Sequence, residues 1–211
     1  AERDAVRAAL CGILGDHLAA TGNPLAIAMQ LRRNAKPLDI GRESLAAAIP
    51  GATPRIAVMI HGLCMNDRQW KRGGHDHGAL LARKAGCTPL YLHYNTGLHV
   101  STNGRALAAL PESLVGEWPA RPATLVLVGH SMGGLVARSA LHYARLARHR
   151  WPAKLEAVFF LGTPHLGAPL ERGGNGVNVL LGASPYTAPF ARLPRIRSAG
   201  ITDLRHGSVR D

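Results

Sequence analysis

Leu125-Val126-Leu127-Val128-Gly129-His130-Ser131-Met132-Gly133-Gly134 is the stretch that decides the fold. An apolar, β-branched run enters Gly-x-Ser-x-Gly, and Leu135-Val136-Ala137-Arg138-Ser139-Ala140-Leu141 continues with helical character. A Gly-rich turn before a helix could share these letters in a chain with 24 glycines. The strand on one side and the helix on the other favour a nucleophile elbow, in which the serine occupies a strained corner. Glycine is expected at 129 and 133 because a Cβ there would collide with the neighbouring strand or helix. The Met132 amide, at the start of a helix, would face the space above Ser131, where the helix dipole favours negative charge.

Three further apolar runs surround this stretch. Ile56-Ala57-Val58-Met59-Ile60 ends in His61-Gly62-Leu63. Pro89-Leu90-Tyr91-Leu92-His93-Tyr94 follows, and Ala157-Val158-Phe159-Phe160-Leu161 runs into Gly162-Thr163-Pro164-His165-Leu166-Gly167. Helical patterns separate them, over Gly78 to Ala85, Asn103 to Glu117 and Met132 to His149. Alternating strands and helices predict βαβ units, a parallel sheet and helices on both of its faces. Glu2 to Thr21 has the spacing of an amphipathic helix that packs on the domain. Leu25 to Arg32 and Pro37 to Ile40 read as an antiparallel hairpin.

These motifs resemble the α/β-hydrolase superfamily, in the lipase and esterase branch that holds bacterial triacylglycerol lipases and GPI-inositol-deacylase-like hydrolases. The likeness rests on His61-Gly62-Leu63, the Ser131 motif, Leu161 to Gly167, and Tyr94-Asn95-Thr96-Gly97 with Ser101 to Arg105. It implies an α/β three-layer sandwich with a mostly parallel sheet. Residues 1–54 would form a helix and hairpin packed on the core. Residues 55–211 would form the core itself, with a lid or loop region at 168–199. It implies Ser131 as nucleophile, Leu63 and Met132 as backbone oxyanion donors, an ester or lipid substrate with transient contact to a lipid interface, and no cofactor.

The family order is serine, then acid, then histidine. His61 precedes the serine and is therefore read as structural, bonding loop backbone; His130 is read as packing beneath the corner. Downstream of Ser131, His142 and His149 fall on or near the following helix, and His165 follows the next strand too closely. His206 lies three residues from Asp203. Glu171 is a weak candidate acid. The expectation is that the core is incomplete at its C-terminus, before the acid and base. Two other functions stay open: a catalytically incomplete hydrolase-fold binding protein, and an acyltransferase or amidase on the same scaffold.

Composition bounds the rest. The net charge is +12, from 25 basic and 13 acidic residues. Beyond Lys36, Lys71, Lys84 and Lys154 the basic residues are all arginine, and the nearest cluster runs from Arg145 to Lys154. Aromatic residues make up 5% of the chain and do not interleave with that cluster, which argues against a base-stacking nucleic-acid surface. Cys11, Cys64 and Cys87 give an odd count without metal spacing, and His75-Asp76-His77 lacks further ligands and reads as a polar loop and helix start. With no signal peptide, membrane span or disulfide framework visible, the expectation leans to the cytoplasm.

Overall fold

The structure is a computed structural model and describes residues 2–121, 123–167 and 198–210. A six-stranded sheet forms its centre. In chain order the elements are helix α1 (Glu2–Ala20), strands β1 (Gln30–Arg33) and β2 (Lys36–Pro37), helix α2 (Arg42–Ala48), and β3 (Arg55–Ile60). A small hairpin of β4 (Lys71–Arg72) and β5 (His75–Asp76) precedes α3 (His77–Ala85) and β6 (Cys87–His93). Then come α4 (Val100–Glu117), β7 (Thr124–His130), α5 (Met132–Leu146), β8 (Leu155–Leu161) and α6 (Ala199–His206).

The sheet order is β2-β1-β6-β3-β7-β8. β6, β3, β7 and β8 run parallel, while β1 is antiparallel to both β6 and β2. From β3 the chain first steps one way, through α3 to β6. It then returns past β3, through α4 to β7 and α5 to β8. Right-handed crossovers taken in opposite directions must put α3 on one face and α4 with α5 on the other. The side chains agree. Met59, Tyr91 and Val128 pack with Trp70, which precedes β4, and with Leu81 of α3. Val58, Ile60, Leu90, Leu92, Leu125 and Leu127 enter the larger core with Leu107, Leu114, Leu135 and Val136. The expected three-layer α/β sandwich with a mostly parallel sheet is what forms.

Two indole rings close the N-terminal end of the sheet. The Trp118 Nε1–H donates to the Thr53 carbonyl at 2.8 Å, and the Trp151 Nε1–H to the Ala108 carbonyl at 2.9 Å. Glu112 of α4 accepts from the Arg150 and Trp151 amides at 2.8 and 3.0 Å, and pairs with the Arg150 side chain at 3.2 Å. Arg150, the centre of the expected basic cluster, is therefore engaged in holding two chain segments together.

Several boundaries differ from the sequence expectation. The hairpin strands are shorter, Gln30–Arg33 and Lys36–Pro37. Helix α4 begins at Val100 rather than Asn103, because the Asp203 carboxylate accepts from the Val100 amide at 2.7 Å and caps the helix. Helix α5 ends at Leu146, not His149. His75-Asp76-His77 is not simply a loop: His75 and Asp76 pair with Arg72 and Lys71 in the small hairpin. Asp76 does start the helix, accepting from the Ala79 amide at 2.9 Å. The expected lid spans 168–199, of which 168–197 lies outside the described residues, as does Glu171; Ser198 and Ala199 belong to the cap and first turn of α6.

Candidate active site

β3 is the switch point of the sheet, with neighbours reached in opposite directions. Ligands of open α/β sheets bind beyond the carboxyl ends of such strands. The His61-Gly62-Leu63 loop after β3 and the Ser131 corner after β7 both lie there.

Ser131 joins β7 directly to α5 with φ 51° and ψ −122°. A non-glycine residue held so far from the favoured regions stores about 1–3 kcal/mol, which the surroundings must supply. Its amide donates to the Leu161 carbonyl of β8 at 2.8 Å, and its carbonyl accepts from the Gly134 amide at 3.1 Å. The glycines around it are steric requirements. A Cβ on Gly129 would lie 2.6 Å from the Gly134 Cα, and one on Gly133 would overlap the Ile60 carbonyl and sit 2.7 Å from that of His61. One on Gly134 would overlap Thr163 of the loop after β8. Helix α5 therefore starts in backbone contact with β3. The Ser131 side chain is half-buried.

The β3 loop comes equally close. A Cβ on Gly62 would stand 3.2 Å from the Ser131 Cβ and 3.1 Å from the His130 Nδ1. The following Cys64 has φ 56°, and its amide donates to the Thr96 hydroxyl at 3.1 Å; the Met65 amide donates to the Gly62 carbonyl at 3.2 Å. Among the described residues no acceptor takes the Leu63 amide between them. The Met132 amide opens a helix and has no intrahelical acceptor.

His61 is fully buried, its Nδ1 is 3.0 Å from the Gly62 carbonyl, and its ring stacks on Tyr94 at 4.5 Å. The Tyr94 hydroxyl donates to the His61 carbonyl at 2.8 Å. Burial pushes the imidazole down to about 3, so it is neutral at physiological pH. The same ring lies 6.4 Å from His93, which is 3.2 Å from Asp67, itself paired with Arg32 at 3.0 Å. Burial alone would raise the Asp67 carboxyl, but the His93 and Arg32 contacts outweigh it and hold the group below its ordinary value. His130 is half-buried and edge-on to Trp70. Burial, with the His77 charge, lowers it too. Burial pushes the Cys64 thiol up to about 12, so it is not a thiolate nucleophile.

The histidines after Ser131 are engaged elsewhere or remote in the chain. His142 packs edge-on against Tyr143, His149 is 3.7 Å from Glu112, and the His165 Nδ1 accepts from Arg138 at 3.0 Å. His206 is exposed in the last turn of α6. Asp203 caps α4 and lies 3.1 Å from His99, and Glu156 pairs with Arg55 at 2.8 Å. Among the described residues no histidine–carboxylate pair has both members downstream of Ser131. No cluster of metal-ligating side chains occurs among them either.

A family model described as the PGAP1-like alpha/beta domain matches residues 53–209. The chain belongs to that family. Among solved structures, this PGAP1-like domain is similar to the Bacillus licheniformis lipase BlEst2. In the mature form the identity is 22% and the TM-score 0.51, over 84% of this chain and 60% of the lipase chain. In the propeptide form the values are 21% and 0.53, over 86% of this chain and 34% of the other. At that identity the likeness establishes a shared α/β-hydrolase fold, and the PGAP1-like chain spans less than two thirds of the lipase. No curated protein matches it.

The sequence expectation groups Ser131, Leu63, Met132 and Gly62; the structure sets Gly62 against Ser131, with Leu63 and Met132 their next neighbours in the chain. The expectation placed Thr163 and Thr96 in family-like motifs without giving either a role: Thr163 is the stop against which Gly134 is packed, and Thr96 fixes Cys64. It missed the glycines of α1, whose i, i+3 spacing at Gly12 and Gly15 was visible and pointed to a close helix contact.

Proposed function

We propose that this PGAP1-like domain is a carboxylic-ester hydrolase of lipase or esterase type, with Ser131 as its nucleophile. The observation that carries the reading is the Ser131 backbone, held at φ 51° and ψ −122° between β7 and α5, with the Gly62 loop against its Cβ. Such strain persists only where the surroundings over-determine it, and it clusters at reacting groups. In this reading the Ser131 Oγ attacks the ester carbonyl and its proton passes to a general base. The carbonyl oxygen becomes an oxyanion held by the Leu63 and Met132 amides. Collapse expels the alcohol, which takes the proton, and water then releases the acid from the acyl-serine by the same steps. Each oxyanion donor is worth roughly 10²–10³ in turnover. The base and its orienting acid are not identified among the described residues.

A second reading follows from that last point. With His142, His149 and His165 engaged by other groups and no carboxylate paired with His206 among the described residues, the same corner serves a hydrolase-fold protein that binds an acyl ligand without turning it over, or an acyltransferase or amidase. A fluorophosphonate probe separates them. Under the hydrolase reading the chain labels covalently, and Ser131→Ala abolishes both labelling and ester hydrolysis. No labelling beside a reactive control hydrolase rejects that reading in favour of the binding protein. Labelling with acyl transfer to added alcohols or amines, and no net hydrolysis, assigns the transferase.

A further inference from the structure

Helix α1 lies outside the segment that matches the family, which begins at residue 53. It nevertheless packs on the loops that form the candidate site. A Cβ on Gly12 would overlap the Cys64 Sγ and lie 3.0 Å from the Cys64 Cα. One on Gly15 would overlap the Asn95 side chain, and one on Gly97 would overlap the Cys11 carbonyl and lie 2.7 Å from the Gly15 amide. The helix backbone therefore touches the loop after β3 and the loop after β6.

Hydrogen bonds fasten the same seam. Asn95 Nδ2 donates to the Gly15 carbonyl at 2.8 Å, and the Ser198 hydroxyl donates to the Gly12 carbonyl at 2.7 Å. The Ala199 amide donates to the Asp16 carboxylate at 2.9 Å, which ties α1 to the start of α6. On its outer side, Arg7 donates to the carbonyls of Pro24, Leu25 and Ala26 at 3.1, 2.9 and 2.7 Å. Asp4 pairs with Arg68 at 3.2 Å. The helix is clamped from both sides.

We propose that Gly12 is a positioning residue for the oxyanion loop: it holds Cys64 in its left-handed backbone conformation and so fixes the direction of the neighbouring Leu63 amide. This inference rests on the reading of Ser131 as nucleophile. Cys64 needs an external hold, because a non-glycine residue does not favour φ 56°. Thr96 supplies one restraint through the Cys64 amide, and the Gly12 backbone supplies the other by closing the space behind the side chain. Leu63 lies between this restrained residue and Gly62, which touches the Ser131 Cβ.

The test uses the full chain and a fluorophosphonate probe, resolved into maximal labelling rate and probe affinity. Gly12→Ala is expected to slow the maximal rate by roughly 100-fold, the effect of an ångström-scale misplacement, with probe affinity unchanged. Amide hydrogen exchange at Leu63, Cys64 and Met65 should accelerate in the same variant. Adding Cys64→Gly, which removes the opposing side chain and tolerates the positive φ, should recover at least about tenfold of the loss. Gly116→Ala, where a Cβ meets nothing within 4 Å, should label at the parent rate. Should Gly12→Ala not fold by circular dichroism, Ser198→Ala carries the test; it removes the bond to the Gly12 carbonyl without adding bulk, and a slower maximal rate is expected. Parent-rate labelling by Gly12→Ala, or by Ser198→Ala where that variant carries the test, overturns the positioning role alone. So does failure of Cys64→Gly to restore the rate. A parent chain that does not label, with a reactive control, overturns the nucleophile reading and the positioning role with it.

Discussion

The two ends of the central strands are held by different means. At the carboxyl ends of β3 and β7 the contacts are close and steric: backbone packs on backbone where Gly133 meets Ile60 and Gly129 meets Gly134, and Gly62 stands against the Ser131 Cβ. At the amino ends charge takes over. Arg55 of β3 pairs with Glu156 of β8, Glu112 gathers Arg150 and two amides, and Arg121 donates to the Val115 and Gly116 carbonyls. A steric seam loses its fit when one methyl group is added. A solvated charged surface absorbs such changes. Ser131 and its close contacts belong to the first kind of end.

The sharpest way to break this contrast is to add the same methyl group at both ends. Gly133→Ala drives a Cβ into two carbonyls and should cost about 3 kcal/mol, a fall of roughly 6–12 °C in melting temperature. Gly116→Ala, in the last turn of α4, meets open space and should be neutral or stabilise by about 0.5–1 kcal/mol. Calorimetry on both variants decides it, and equal effects would remove the distinction.

A smaller effect is expected from protons. The folded protein keeps His61 neutral down to about 3, whereas an unfolded histidine takes its proton near 6.5. Between those values the unfolded state binds the extra proton. The stability from this site is complete above about pH 6.5 and falls as pH drops toward 3. Asp67, also lowered, adds to the loss at the acid end. Denaturation from pH 8 to pH 4 should show this decline, and His61→Asn should shallow it by up to about 1.4 kcal/mol per pH unit. A variant with the parent slope would show that His61 is not the group titrating.

The weakest effect belongs to the amino ends. Arg55 and Glu156 are close to half-exposed, and a double-mutant cycle on the pair should return about 0–1 kcal/mol, shrinking with added salt. A coupling above that range would make this end as exacting as the other.

The same contrast explains what was legible in the chain. β3, β6, β7 and β8 were readable because buried parallel strands need continuous apolar runs, and Ile56 to Ile60 or Leu125 to Val128 admit few other readings. The Ser131 corner was readable because its glycines stand together in one short motif between a strand and a helix, even though Gly133 and Gly134 meet Ile60 and Thr163 from elsewhere in the chain. Helix α2 was missed: it is one short segment with Gly41 at its start and no side-chain cap. The start of α4 was misplaced because its cap, Asp203, comes from far along the chain. The docking of α1 was hidden for the same reason, since Gly12 and Gly15 meet Cys64 and Asn95 only after the sheet has formed. His61 was read correctly as structural, yet its link through His93 to Asp67 and Arg32 depends on partners on three elements.

The placement of the three indoles has a practical result. Trp118 and Trp151 are shielded from water within the large core, and Trp70 within the smaller one on the opposite face of the sheet. Indole emission shifts to longer wavelength in polar surroundings, so the native chain should emit in the blue and move red on denaturation. With Trp70 alone beside His130, spectra of single-tryptophan variants can follow the two faces of the sheet separately without any added dye.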